Sequence, residues 1–373
     1  MTTGMSLRRW AELGQISREL KIYQKLGEKV GHIYIHSYGK NEENLVKNYP
    51  NVTVLSKPNF IPEWRIRPKR INRYFNYIYN FITPFFRISI YRKIDIIKTN
   101  QFRGALWGVV LKCLFGCKLV TRMGYYHNHF KPLSFRIYCV EKIVFRASDF
   151  IIVTESNAKA FIEKKYGLKT GIVQHIPNYI DTNIFSYKDS NKHIDVLYVG
   201  RLQAKKNLHS LLRALKNIPA KIVFIGDGPK RKDLFQIAES NGLNLCLIKK
   251  VENHHLPDYY NQAKVFALPS FYEGNPKVLL EAMACGCAVI GSNVNGINNI
   301  IEHKVNGYLC ETDFRSIRNA ICEVLKDQRL MKNMGLNAVK YIRKNNVLDV
   351  LIDQEKQLYW RMEGKFSVIN KST

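Results

Sequence analysis

The sequence predicts an α/β protein of two Rossmann-like, doubly wound domains. Three observations carry this. Short apolar runs alternate with amphipathic stretches of helix length, the pattern of parallel strands joined by crossover helices. The alternation occurs twice, with a polar interruption over 186–193 between the two series. The chain has 373 residues, enough for two domains of ordinary size, and is 46% hydrophobic, enough for a sizeable core.

In the first series, residues 8–27 read as a helix with Leu13, Ile16, Leu20, Tyr23 and Leu26 along one side, and Val30–His36 reads as a strand. Ile94–Lys98, Cys117–Thr121, Phe150–Val153 and Ile172–His175 are further strands, separated by helices over 103–115, 132–147 and 156–166. A doubly wound domain normally opens on a strand, and residues 1–7 are too short and polar to form a good one. The boundary falls near 180–192. The second series has strands at 194–199, 221–225, 245–249, 264–268, 288–290 and 307–310. Its helices run from 207 to about 217, after Pro229, over 255–262, from Pro276 and around 297–302, and two more fill 312–344. The expected domains are 1–180 and 193–345, with a helix over 346–363 returning to the first domain.

The formal net charge is +28 and it is uneven. Residues 1–186 carry 30 Lys and Arg against 12 acids, and residues 187–373 carry 28 against 18. Such a surface attracts nucleic acid, anionic lipid or a phosphorylated substrate, and charge alone does not choose among them. Residues 57–93 hold nine basic residues, one acid and interleaved aromatics such as Phe60, Trp64, Tyr79, Phe85 and Phe86. This mixture suits the interface of an anionic bilayer, and it also suits an aromatic core helix with a solvated basic side. No apolar run reaches membrane-spanning length, and the first residues lack a signal-peptide core. The eight cysteines show neither C-x-x-C nor zinc spacing, so they read as reduced, mostly packed thiols of a cytoplasmic protein.

The most informative stretch is 269–291. A strand ends at Pro269-Ser270, Gly274 and Asn275 bend the chain, and Pro276 is placed as the first helical residue. Glu273 precedes the helix, and Glu281 lies five residues past Pro276, roughly 7.5 Å along the axis at ~1.5 Å per residue. Two carboxylates so spaced can hold separate parts of one long ligand. The helix start, over Gly274, Asn275, Pro276 and Lys277, lies between them, and its free N–H groups, which Pro276 does not share, are a seat for phosphate. A sugar hydroxyl at Glu273, a diphosphate at the helix start and a ribose at Glu281 describe a nucleotide-sugar.

Glu273 and Glu281 resemble the E-x7-E pair of retaining glycosyltransferases of family 4, within a string that reads Tyr272-Glu273-Gly274, Pro276 and Glu281-Ala282-Met283-Ala284-Cys285-Gly286. Gly4-Met5-Ser6-Leu7 and the helix after it are similar to the N-terminal entry of a subset of that family, in which an apolar strand comes first, so the sheet edge there is expected to be incomplete. Pro177-Asn178 and Asp181 match the family's Pro-Asn-Gly-Val-Asp junction, with Tyr179 in place of the glycine. Gly200-Arg201 and Lys206 follow a strand, as does the family's diphosphate-binding Arg/Lys pair. Fixed cations there would stabilise a departing diphosphate. Gly226-Asp227-Gly228 is expected to border the donor site, and Lys249–Glu252, with Val251, to hold the nucleobase.

The resemblance implies a GT-B fold, two domains facing each other across a cleft, and a metal-independent transfer with retention. Glu273, Arg201 and Lys206 would do the catalytic work, and the donor would be a nucleotide-sugar, a UDP-sugar by preference. No other cofactor is expected. Arg122, Tyr125 and His127, after Cys117–Thr121, are candidates for the acceptor side. The partners expected are that donor, a lipid-linked or polysaccharide acceptor of cell-surface glycan synthesis such as lipopolysaccharide, and the inner face of the cell membrane through residues 57–93, where the protein would be peripheral; nucleic acid is not expected. Two other readings stand beside this one: a UDP-sugar epimerase of the same two-lobe form, which would turn over the donor alone, and a basic nucleic-acid-binding protein, whose binding would fall steeply with salt.

Overall fold

A computed structural model of the chain describes residues 5–12, 14–61, 79, 83, 85–100, 102–124 and 135–362. The chain divides into two units, one running to Ile176 and resuming at Ile352, the other Pro177–Leu351. The division lies slightly ahead of the expected 180–192. The Ile180 N–H donates to the Asn346 carbonyl at 2.7 Å and its carbonyl accepts from Leu348 at 3.1 Å, which ties this segment into the second unit.

The predicted helix over 8–27 is two helices, α1 (Leu7–Glu12) and α2 (Ile16–Val30). Gly14, at φ +67°, turns the chain between them. Leu13 lies outside the described residues. Because α2 runs on to Val30, the next strand is shorter than expected, β1 (Ile33–His36). It pairs in parallel with β2 (Val52–Leu55), a four-residue strand that the sequence reading missed. After the short helix α3 (Ile88–Tyr91) come β3 (Ile96–Thr99), α4 (Ala105–Phe115), β4 (Lys118–Met123), α5 (Phe135–Ala147), β5 (Phe150–Val153), α6 (Ser156–Tyr166) and β6 (Val173–His175). These four strands form a second parallel sheet in the order β3-β4-β5-β6. Phe145, Ile151, Ile162 and Tyr166 fill the core between it and its helices.

The second unit contains β7 (Ile194–Val199), α7 (Leu208–Leu215), β8 (Ile222–Ile225), α8 (Arg231–Ser240), β9 (Leu245–Ile248), α9 (Leu256–Gln262), β10 (Ala263–Leu268), α10 (Lys277–Ala284), β11 (Ala288–Ser292), β12 (Tyr308–Cys310), α11 (Phe314–Lys326) and α12 (Gln328–Asn345). Its six strands form one parallel sheet in the order β12-β11-β10-β7-β8-β9. The predicted helix around 297–302 is a series of turns instead. The Asn306 side chain takes the Glu302 N–H at 2.8 Å and donates to the Ile300 carbonyl at 3.2 Å, in competition with a helical ladder. Cys285, Cys287 and Cys310 are buried, and burial pushes the Cys287 and Cys310 thiols up to about 12.

Helix α13 (Leu348–Met362) begins in the second unit, and from Ile352 it belongs to the first. There Glu355 forms an ion pair with Lys98, with side chains 9% and 15% exposed, and accepts the Tyr359 hydroxyl. Burial alone would raise the Glu355 carboxyl; Lys98 and Arg122 outweigh it and hold it below its usual value. Of the basic aromatic segment 57–93, residues 62–78, 80–82 and 84 lie outside the described residues. Among the described ones, Phe60, Phe85 and Phe86 are 67%, 74% and 55% exposed. No described helix is long and apolar enough to cross a membrane.

Removing one member of the Lys98–Glu355 pair strands the other in a buried place. Glu355→Ala is expected to cost about 3–5 kcal/mol in denaturant unfolding. Because the Glu355 carboxyl is depressed, its stabilisation is complete above the ordinary 4.5 and is lost as pH falls through the lower folded value. The acid limb of a stability–pH curve should therefore be shallower in Glu355→Gln.

Candidate active site

The strand order of the second unit locates the site. From β7 the chain moves outward through β8 and β9, then returns to β10 on the other side of β7. Loops leaving two such neighbours part in opposite directions and open a crevice at the C-terminal ends of the strands. Here those loops are 200–207 after β7 and 269–276 after β10.

Lys206 and Glu273 join them. The Lys206 ammonium forms an ion pair with Glu273 Oε1, with side chains 11% and 9% exposed. Ser270 Oγ donates to the same oxygen at 2.7 Å. The Phe271 N–H donates to the Lys205 carbonyl at 2.9 Å, a second tie between the loops. The Lys205 ammonium lies 5.3 Å from the centre of the Tyr272 ring. Burial lowers its pKa, Lys206 and Arg201 push the same way, and Glu273 opposes them. The sequence reading passed over Lys205, although it stands beside Lys206 in Ala204-Lys205-Lys206-Asn207. Arg201 is exposed, and its carbonyl accepts the Tyr198 hydroxyl at 3.1 Å.

The glycines chosen from sequence act through backbone packing. Gly226 has φ +147°, and a Cβ on it would stand 1.9 Å from the Gly200 carbonyl oxygen. A Cβ on Gly228 would meet the Leu202 oxygen at 2.3 Å. The loops after β7 and β8 thus lie backbone to backbone, and the Leu202 N–H donates to the Asp227 oxygen at 3.0 Å. Val251, past the end of β9, is half-buried against the unit's core.

The loop before α10 is latched from behind. Asn275 Oδ1 accepts the Asn178 N–H at 3.0 Å, and the Asn275 carbonyl accepts Asn178 Nδ2 at 2.6 Å. Asn346 Nδ2 in turn donates to the Asn178 carbonyl at 2.7 Å. The Tyr179 ring lies 5.1 Å from the Lys277 ammonium, which gives the tyrosine in the family's glycine position a packing role. Gly274 is buried against Gly296, which sequence reasoning missed: at φ +85°, a Cβ on Gly296 would fall 2.1 Å from the Gly274 oxygen. Pro276 is the N-cap of α10 rather than its first helical residue, because its ψ of 110° is extended. Its carbonyl accepts the Leu279 N–H at 3.1 Å.

Glu281 sits on α10 at 3% exposure, and its Oε2 accepts the Tyr260 hydroxyl at 3.0 Å. A ribose hydroxyl at that oxygen would compete with Tyr260. Arg122 belongs to the first unit, on β4, half-buried in the field of Glu355. Tyr125 and His127 lie outside the described residues. Among the described residues no group of three His, Cys, Asp or Glu could hold a metal ion.

The family model for glycosyl transferases group 1 matches residues 180–341. That for glycosyltransferase family 4 matches residues 25–184. The chain belongs to the group 1 glycosyltransferases. It is 25% identical over 203 residues to N-acetyl-alpha-D-glucosaminyl L-malate synthase of Bacillus anthracis, a match spanning 50% of this chain but only 53% of the length of that relative. It is 26% identical over 315 residues to the UDP-Gal:alpha-D-GlcNAc-diphosphoundecaprenol alpha-1,3-galactosyltransferase of Escherichia coli, covering 76% of this chain and 80% of that one. Among solved structures, sucrose-phosphate synthase from Thermosynechococcus elongatus aligns with a TM-score of 0.80 at 20% identity, over 94% of each chain. The fold of this glycosyltransferase is therefore GT-B, with two Rossmann-like domains.

A side chain at Gly296 would press on backbone that cannot yield. Gly296→Ala is expected to destabilise by about 1–3 kcal/mol, from positive φ and overlap together. Amide exchange at Gly274 and Asn275 should quicken well before the rest of the unit loosens.

Proposed function

We propose that this chain is a retaining glycosyltransferase that moves a sugar from a UDP-sugar to a lipid-linked or polysaccharide acceptor of cell-surface glycan synthesis. The observation that carries the reading is the Lys206–Glu273 pair, flanked by Lys205 and Arg201, at the topological switch point of the second unit. The name of the E. coli relative gives UDP-Gal as donor and a diphosphoundecaprenol-linked sugar as acceptor, which supports the substrate classes chosen.

In the proposed reaction Arg201, Lys205 and Lys206 surround the diphosphate. They draw charge from the breaking bond between sugar C1 and phosphate oxygen, the role a metal would otherwise fill. A diphosphate at Lys206 would share its ammonium with Glu273, leaving carboxylate capacity to accept a sugar hydroxyl and fix the ring. The acceptor oxygen attacks C1 on the face the diphosphate leaves, and its proton passes to the departing phosphate oxygen. The new bond to C1 forms on the face of the old one, so configuration is retained. The amides at the start of α10 and the backbone near Val251 are assigned to phosphate and base, and Glu281 to the ribose. Arg122, Tyr125 and His127 are assigned to the acceptor.

The test is turnover of labelled UDP-sugars with a polyprenyl-diphosphate-sugar acceptor, with and without chelator. Glu273→Ala should lower kcat about 100-fold or more while UDP still binds. Lys206→Ala and Arg201→Ala should weaken UDP binding directly. A UDP-sugar at ~100 times Kd should stabilise the protein by ~2.7 kcal/mol in a melt, and GDP- and ADP-sugars by less. Normal transfer by Glu273→Ala, or release of an epimerised UDP-sugar from donor alone, would sink the reading.

We also propose that the protein is peripheral to an anionic membrane on its cytoplasmic side. The net charge of +28 and the exposed Phe60 and Phe86, whose rings meet at 5.0 Å, support this contact. Co-sedimentation with vesicles containing phosphatidylglycerol, weakening as salt rises and in Phe85→Ser/Phe86→Ser, is the expected outcome; equal binding to neutral vesicles would overturn it.

A further inference from the structure

The two carboxylates of the 269–291 stretch are held in different ways. Glu273, in its loop, meets Lys206 and Ser270. Glu281, on α10, is held from inside the unit. Its Oε2 accepts the Tyr260 hydroxyl at 3.0 Å, and the residue is 3% exposed. Tyr260 stands on α9 and is fully buried, so this bond lies on the core side of the carboxylate.

The tyrosine has no room to turn away. Its ring packs edge-on to Phe266 of β10, with centroids 5.7 Å apart, and is tilted against Phe185 at 6.2 Å. The Tyr260 carbonyl accepts the Cys287 thiol at 2.8 Å, which ties α9 to the residue ahead of β11. Asn261 fixes the same helix: its Oδ1 accepts the Lys188 N–H at 2.7 Å, and its Nδ2 donates to the Ser186 carbonyl at 3.1 Å. The hydroxyl also keeps its proton. Burial, and after it the Glu281 carboxylate, push the Tyr260 pKa well above the ordinary 10. Tyr260 therefore donates to Glu281 at any pH near neutrality. The ring alone would satisfy the packing; the hydroxyl acts on the carboxylate.

An ionised carboxylate accepts hydrogen bonds at two oxygens and can grip a vicinal diol with both. Glu281 has one oxygen turned inward and engaged. A ribose hydroxyl gains little by displacing Tyr260 there: one bond forms, one breaks, and a buried phenol loses its acceptor. We propose that Tyr260 is a positioning residue that sets how the nucleotide is read: by holding Oε2 of Glu281 it leaves one carboxylate oxygen to the crevice, which takes one hydroxyl of the ribose instead of gripping both. This inference rests on the assignment of Glu281 to the ribose. The second ribose hydroxyl is left to water, and the site tolerates its loss.

The test is calorimetric binding of UDP, 2′-deoxy-UDP and 3′-deoxy-UDP to the full chain, to Tyr260→Phe and to Glu281→Gln. In the unaltered protein one deoxy analogue should bind within about threefold of UDP and the other about tenfold or more weakly. In Tyr260→Phe the freed oxygen should engage the second hydroxyl, so that both analogues bind about tenfold or more weakly than UDP. A merely structural role for Tyr260 would lower Tm and leave this pattern unmoved. Equal losses for the two analogues in the unaltered protein would refute the proposal, as would a one-sided pattern kept by Tyr260→Phe. The comparison in the unaltered protein decides by itself if Tyr260→Phe fails to fold. Unchanged discrimination in Glu281→Gln would instead remove the ribose assignment on which the inference stands, and no binding of UDP to any form would remove the functional reading as well.

Discussion

A single buried ion pair, Lys206 with Glu273, is the constraint around which the second unit is arranged. Taking an ammonium and a carboxylate out of water costs several kcal/mol per ion, and their attraction offsets this only with good geometry and further hydrogen bonds. Ser270 supplies one such bond, and the Phe271–Lys205 backbone contact holds the loops in register. A hydrophobic pair would join two loops at less cost in desolvation. A charged pair at the parting of β7 and β10 is instead what a polyanionic ligand with hydroxyls requires, a cation and an acceptor fixed side by side before it arrives.

That fixing depends on residues that never reach the crevice. Asn178 holds Asn275 by both its amide and its side chain, and Asn346 holds Asn178. Gly296 lets one backbone press against the back of Gly274. The loops after β7 and β8 are braced in the same manner through Gly226. Functional side chains on loops are precise only when such contacts remove the loops' freedom. The segment at Ile180 is bonded into this unit because it carries the latch, which is why the division of the chain falls earlier than composition indicated.

The first unit depends on a different buried pair, Lys98 with Glu355, which fastens the end of the chain beside β3. Arg122 stands in the field of Glu355, so a residue read as an acceptor candidate also belongs to the electrostatics that hold α13 to this unit.

The alternation of apolar runs with helical stretches was enough to fix two parallel α/β units and nearly all of their strands, because burial on both faces leaves a local signature of short, continuous hydrophobic runs. The motifs around Glu273 and Arg201 were legible for a similar reason: each lies within a few residues of a strand end whose direction is known. β2 escaped because four residues carry too little periodicity to stand out. Lys205, Gly296 and the Asn178–Asn275 latch escaped because their roles are set by partners dozens of residues away. Only tertiary structure decided that Glu281 faces Tyr260 and that Pro276 caps rather than begins its helix. Those are matters of which backbone approaches which, and a linear pattern records what a residue can bury but not what it is buried against.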